Sequence, residues 1–148
     1  MAEEFTEAGV IVIGDYRGQC PQPPANLHFL GLKPQRSLPA YLAHAEVAVI
    51  PWKVSQITQA TSPLKVFEYL AMGVPVVTPA LDPLQGIPGV KLAENAAAFL
   101  DRISEARGEE FPREAVDAFI DENHWQARVK KLLGYLEGLQ QASSPARE

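Results

Sequence analysis

The chain has 148 residues, a net charge of −5, 47% apolar residues and 21% charged residues. That length suits one domain able to bury roughly 68–70% of its unfolded surface. The composition excludes disorder, and the acidic balance excludes a broad basic face for nucleic acid. No apolar run nears the ~20 residues needed to cross a bilayer. The start, Met1-Ala2-Glu3-Glu4-Phe5, is acidic and lacks the basic-then-apolar plan of a signal peptide. Cys20 is the single cysteine, so no internal disulfide is possible and a reducing compartment fits. His28, His44 and His124 are too scattered to suggest a zinc site, and no metal is expected. No Ser-His-Asp signature or glycine-rich phosphate loop is present. Thirteen prolines are nearly twice the usual share of about 5%, and eleven of them precede residue 90.

In chain order, Gly9 to Ile13 is a β-branched run ended by Gly14-Asp15, which predicts a buried strand. Residues 16–25 hold Gly18, Pro21, Pro23 and Pro24 and predict a loop. Residues 26–30 predict a second strand. Ser37 before Leu38-Pro39 predicts a capped helix running to about Ala45. Residues 47–50 predict a third strand, closed by Pro51-Trp52. Residues 53–62 are polar and predict little regular structure. Ser62-Pro63 predicts a helix start, with Gly73 as its stop. A strand over 74–78, a loop over 80–89 and a short strand over 90–92 follow. Asn95 then caps a helix over 96–106, and two more helices cover 113–121 and 125–139. Residues 1–139 are expected to form the domain and 140–148 a frayed polar tail. Short apolar strands alternating with helices imply a parallel sheet covered on both faces. Ligands bind such sheets at the carboxyl ends of strands, so the loops after Ile13, Leu30, Ile50 and Thr78 draw attention. Prolines at strand exits and in helix first turns sit where a missing N–H costs least.

The chemistry concentrates in residues 57–77. On a helical wheel, Leu64, Val66, Phe67, Leu70 and Ala71 share an apolar face, while Lys65, Glu68, Tyr69 and Met72 share the other. With Ser62 as the cap, Lys65 falls in the first turn. A cation there opposes the helix dipole at a cost of about 0.3–1 kcal/mol. A bound anion would reverse that sign, held by free backbone N–H groups, the Thr61 and Ser62 hydroxyls and the Lys65 ammonium. Glu68 could accept hydrogen bonds from the vicinal hydroxyls of a sugar. The plainer alternative is that Lys65 and Glu68 form a solvated i,i+3 pair.

These segments together resemble the C-terminal, donor-binding domain of GT-B type retaining glycosyltransferases of family 4, the glycosyl transferases group 1. The resemblance rests on Val-Ile-Val-Ile-Gly-Asp at 10–15, Asn-Leu-His-Phe-Leu-Gly at 26–31, and residues 38–52 and 62–77 in the family's order. His-Trp-Gln-Ala-Arg at 124–128 is similar to its closing helix. The run Thr58-x-Ala-Thr-x-Pro-x-Lys65 is similar to a subgroup of teichuronic acid and exopolysaccharide glycosyltransferases. The resemblance implies a Rossmann-like, three-layer α/β domain with a largely parallel sheet, the C-terminal half of a GT-B fold.

It also implies a function: binding a UDP-, GDP- or ADP-sugar and transferring the sugar with retention, without a metal. Glu68 would hold the ribose hydroxyls. Thr61, Ser62, Pro63 and Leu64 would meet the diphosphate, with Lys65 beside it, so that Lys65 and Glu68 carry the reaction. Gly31 and Leu32 would flank the base, and Gly14 and Asp15 would stand at the cleft mouth. Many members carry a Glu eight positions before the ribose-binding one, where this chain has Ala60. The family's acceptor-binding N-terminal domain and the first strand of its donor domain have no counterpart here. Transfer by this chain alone is therefore not expected. A cytoplasmic enzyme, with room for peripheral association at the inner face of the plasma membrane, is implied.

A reading from another class is a non-catalytic Rossmann-like partner or regulatory module. A phospho-receiver fits less well, because no acidic cluster follows the first strand. Trp52 divides between packing and ligand contact. His44 reads as a helix C-terminal dipole partner, His28 as a structural strand residue, and His124-Trp125 as the anchor of the last helix. Arg128, Lys130 and Lys131 read as a solvated face, with a docking surface as the lesser option. Cys20 has no assigned role.

Overall fold

A computed structural model describes residues 1–15 and 22–142. Cys20, most of the loop expected over 16–25, and residues 143–148 of the polar tail lie outside the described residues. Five strands, β1 (Val10–Ile13), β2 (Leu27–Gly31), β3 (Ala48–Val49), β4 (Val76–Pro79) and β5 (Val90–Ala93), are all paired in parallel. They are interleaved with helices α1 (Leu38–Leu42), α2 (Gln56–Gln59), α3 (Lys65–Ala71), α4 (Ala96–Gly108), α5 (Arg113–Asn123) and α6 (Trp125–Ala142). The α/β class is as expected. The sheet, however, comes in two pieces: β1 pairs with β2, and β3-β4-β5 form a second sheet with β4 at its centre.

β4 explains why the second sheet holds. Val76, Val77 and Thr78 have no exposed surface, so the strand is covered on both faces. On one face Val76 joins Ile50, Val66 and Leu70 of α3, Leu81, Leu84 and Val116 of α5 in the larger core cluster. On the other, Val77 meets Ile103 and Ala106 of α4, with Phe5 and Phe99 packed against them. This gives three layers, helix on sheet on helix, as parallel strands require. Each fully buried Val or Leu contributes roughly 1.5–3 kcal/mol relative to leaving it exposed.

Local signals account for most boundaries. Asn95 caps α4 by accepting from the Ala98 N–H at 2.9 Å. Gly73 ends α3 in the left-handed conformation (φ 78°). Its N–H reaches the Leu70 carbonyl and the Val74 N–H reaches that of Tyr69, a Schellman closure. Two sequence expectations fail here. The helix expected over 37–45 is a 3-10 turn (Gln35–Ser37) followed by α1, and the Ser37 hydroxyl donates back to the Pro34 carbonyl instead of capping. Ser62 does not cap α3 either; the helix begins at Lys65, with Leu64 as its N-cap. Residues 53–62 are irregular except for one short helix, α2, over Gln56–Gln59. Ser55 and Thr58 form a reciprocal capping box that opens α2.

Asn26, just before β2, ties down the N-terminal segment. Its Nδ2 donates to the carbonyls of Ala2, Phe5 and Ala8 at 2.8–2.9 Å. Among the described residues four strands are paired on one side only, β1 and β2 in the first sheet and β3 and β5 in the second. β1 is wholly apolar yet none of its residues is buried, and Ile11 is 50% exposed.

The Thr78 hydroxyl is fully buried with no hydrogen-bond partner. Leaving such a group unpaired costs about 1–3 kcal/mol. Thr78→Val keeps the shape and removes the hydroxyl, so it is expected to raise stability by about 1 kcal/mol, read from urea unfolding. A loss of stability would show that the hydroxyl has a partner in solution.

Candidate functional site

The segment singled out by sequence lies beyond the carboxyl ends of β3 and β4. Buried Val66 and Leu70 fix α3 against the core. Phe67 is stacked on Phe119 of α5 at 5.7 Å between centroids. The wheel was right about that face for Val66, Phe67 and Leu70, but Leu64 is 76% exposed and Ala71 is also exposed. Both lie at the ends of a seven-residue helix, where the core no longer reaches.

Lys65 and Glu68 are exposed, and they do not pair with each other. The solvated i,i+3 pair is therefore not formed. Among the described residues neither side chain has a hydrogen bond or ion pair. Backbone bonds to Pro63 and Leu64 begin only with the N–H groups of Val66, Phe67 and Glu68. Pro63 is buried and pins the entry to the helix. The Thr61 hydroxyl donates to the Ile57 carbonyl at 2.7 Å, keeping its lone pairs available, and Ser62 is exposed.

One contributor was not singled out by sequence. Gln59 ends α2, and its side-chain amide bonds Ala80 and Asp82 in the connection after β4. The Ser55-x-x-Thr58 spacing was the available signal for the helix that presents it.

A second group stands on the other sheet. The Gly14 N–H donates to the Gly31 carbonyl at 3.0 Å, closing the carboxyl ends of β1 and β2 together. Gly31 has φ 66°, a left-handed turn that favours glycine. A side chain added at either glycine would meet nothing within 4 Å, so the space above the turn is open. Asp15 is exposed at this turn and Leu32 is 77% exposed. The structure thus joins Gly14 to Gly31, and groups Thr61 to Glu68, at strand carboxyl ends.

Of the remaining residues, Trp52 is partly exposed just past β3. His28 and His44 are exposed, and His44 lies beyond the end of α1. His124 does anchor α6, its Nδ1 accepting from the Ala127 N–H at 3.1 Å. Trp125 does not, being 79% exposed. Arg128 donates to the Asn123 carbonyl and covers the Phe67 ring at 5.6 Å, so it is not simply solvated. The face of α6 carrying Trp125, Val129, Leu132, Leu136 and Leu139 is an apolar stripe open to solvent. Among the described residues no three His, Cys, Asp or Glu side chains converge as metal ligands, and no helix is long and apolar enough to cross a membrane.

Residues 2–107 match the family model described as "Glycosyl transferases group 1". The chain belongs to this family. The chain is also similar to the putative teichuronic acid biosynthesis glycosyltransferase TuaH of Bacillus subtilis (strain 168), at 38% identity over 52 residues. That stretch covers 35% of this chain and 13% of the relative, so the similarity spans a small part of a much longer protein. No solved structure matches.

Burial, and behind it the Glu68 carboxylate, hold the Tyr69 hydroxyl above the ordinary tyrosine value of 10.0. The folded chain therefore keeps this proton more tightly than the unfolded chain. Its contribution to stability is complete below pH 10 and is lost as the pH rises through the folded value. Tyr69→Phe is expected to flatten the alkaline limb of the stability curve. Glu68→Gln should bring the Tyr69 midpoint only part of the way down, since burial is the larger cause. Tyrosinate absorbance and urea midpoints on both sides of pH 10 check this; an alkaline limb unchanged by Tyr69→Phe would contradict it.

Proposed function

We propose that this glycosyltransferase chain is the part that binds a nucleotide-sugar donor, in an enzyme that passes the sugar to an acceptor with retention. The observation that carries the reading is the pair of unpartnered side chains, Lys65 and Glu68, held on the first turn of a helix whose opposite face is locked by Val66 and Leu70. One is a cation suited to a diphosphate and the other an acceptor suited to vicinal ribose hydroxyls. In this reading Thr61, Ser62, Pro63 and Leu64 line the diphosphate. Gly31 and Leu32 flank the base, and the open turn at Gly14 and Asp15 forms the cleft mouth. Lys65 offsets the charge that grows as the nucleoside diphosphate leaves, with no metal in that role. α3 has only seven residues, so the charge of Lys65 matters more than the helix dipole.

The same reading supplies partners. The solvent-facing stripe of α6 and the open edges of β1 and β3 are surfaces that an acceptor-binding domain and a further parallel strand would cover. Transfer then requires that second domain, and this chain alone binds donor without turning it over. The named role of the Bacillus relative, in teichuronic acid biosynthesis, supports an acceptor that belongs to teichuronic acid or a similar polysaccharide.

Calorimetric titration with uridine, guanosine and adenosine diphosphates tests this. One of the three is expected to bind, weakly. Lys65→Ala should weaken that nucleotide about tenfold, the equivalent of ~1.4 kcal/mol. Glu68→Gln should weaken the ribonucleotide more than its 2′,3′-dideoxy analogue. Equal losses for the two nucleotides would remove Glu68 from the ribose.

A further inference from the structure

Segment 53–62 is tied to itself. Ser55 bonds Thr58, the Thr58 hydroxyl donates to the Lys53 carbonyl, and the Thr61 hydroxyl donates to that of Ile57. Among the described residues a single side chain ties this segment to the rest of the fold by hydrogen bonds. Gln59 Nε2 donates to the Ala80 carbonyl at 3.0 Å, and its Oε1 accepts from the Asp82 N–H at 2.9 Å. A primary amide offers the same donor and acceptor as a peptide unit. The carbonyl of one residue and the N–H two positions on are the pair that a neighbouring parallel strand engages. The Gln59 side chain thus stands in for a strand residue opposite Leu81, which is fully buried. It docks the end of α2 on the chain leaving β4. Six residues later comes Lys65, whose far side is fixed by buried Val66.

We infer that Gln59 is a positioning residue for the donor site: its two-point clamp on Ala80 and Asp82 sets where residues 60–65, and hence the Lys65 ammonium, stand. The inference rests on the donor-binding reading above and adds a residue that touches no substrate. The Gln59 side chain is uncharged and both ends of its amide are engaged by backbone groups, so its effect passes through the clamp.

The test uses the 148-residue chain. Gln59→Leu removes both bonds at similar volume; Gln59→Glu keeps an acceptor for Asp82 but loses the donor to Ala80. In ligand-free protein, Gln59→Leu is expected to speed hydrogen exchange of the Asp82 amide and to shift the amide resonances of Thr61, Ser62, Leu64 and Lys65. Uridine diphosphate, or whichever of the three diphosphates binds the wild type, should bind about tenfold more weakly to Gln59→Leu, with Gln59→Glu in between. Ile103→Val, which loosens the core cluster on the other face of the sheet, should leave that affinity unchanged. Wild-type affinity in Gln59→Leu, or an equal loss in Ile103→Val, overturns the inference. Unmoved 61–65 amides overturn it even where no nucleotide binds. Moved amides without nucleotide binding to the wild type support the clamp and sink the donor reading instead.

Discussion

The fold depends on one strand being buried on both faces. β4 carries Val76 into the cluster with α3 and α5 and Val77 into the cluster with α4. It also pairs with β3 on one side and β5 on the other. Tight packing on both faces leaves β4 one direction in which to present anything, its carboxyl end. There the chain turns through Pro79, Ala80 and Asp82, and there the side chain of Gln59 takes hold.

From that anchor the site follows in steps. The capping box at Ser55 and Thr58 makes a short helix of an otherwise polar stretch. Gln59 fastens it, buried Pro63 turns the chain, and Val66 and Leu70 lock the next helix. Lys65 and Glu68 are what remains outside. They are three apart on one helix and unpaired. Each keeps its capacity for an external partner, because an exposed ion pair would contribute only about 0–1 kcal/mol and its formation is not enforced. The same helix feels Glu68 on its other flank, where the carboxylate adds to burial in holding the Tyr69 proton.

Much of this was legible in the residues. Apolar runs and Gly or Pro stops placed all five strands within about two residues; for β4, buried on both faces, the apolar run is what that burial requires, whereas β1 is apolar without being buried. Asn95 and Gly73 were read correctly since their roles are local. The misreadings share a cause: a cap is decided by which side chain reaches which N–H. Ser37 turned to Pro34, and Leu64 rather than Ser62 precedes α3. Trp125 looked like an anchor, but the inward face of a helix depends on what packs beside it. Gln59 was invisible because its partners are backbone groups more than twenty positions away. The prolines are now clearer. Pro39 lies in the first turn of α1, Pro79 ends β4, Pro83 sits in a 3-10 turn and the buried Pro63 leads into the site helix. The donor-binding proposal rests on the family membership as well as on geometry, since free charges on a short helix are common.

Under the donor-binding proposal, one nucleotide meets both groups of residues, the Gly14–Gly31 turn of the first sheet and the 61–68 segment of the second. Amide chemical-shift mapping of the chain during titration with a nucleoside diphosphate reads both at once. If one nucleotide meets both groups, Gly14, Gly31, Ser62, Lys65 and Glu68 shift together along one saturation curve. Shifts confined to one group, or none at millimolar ligand, would contradict it.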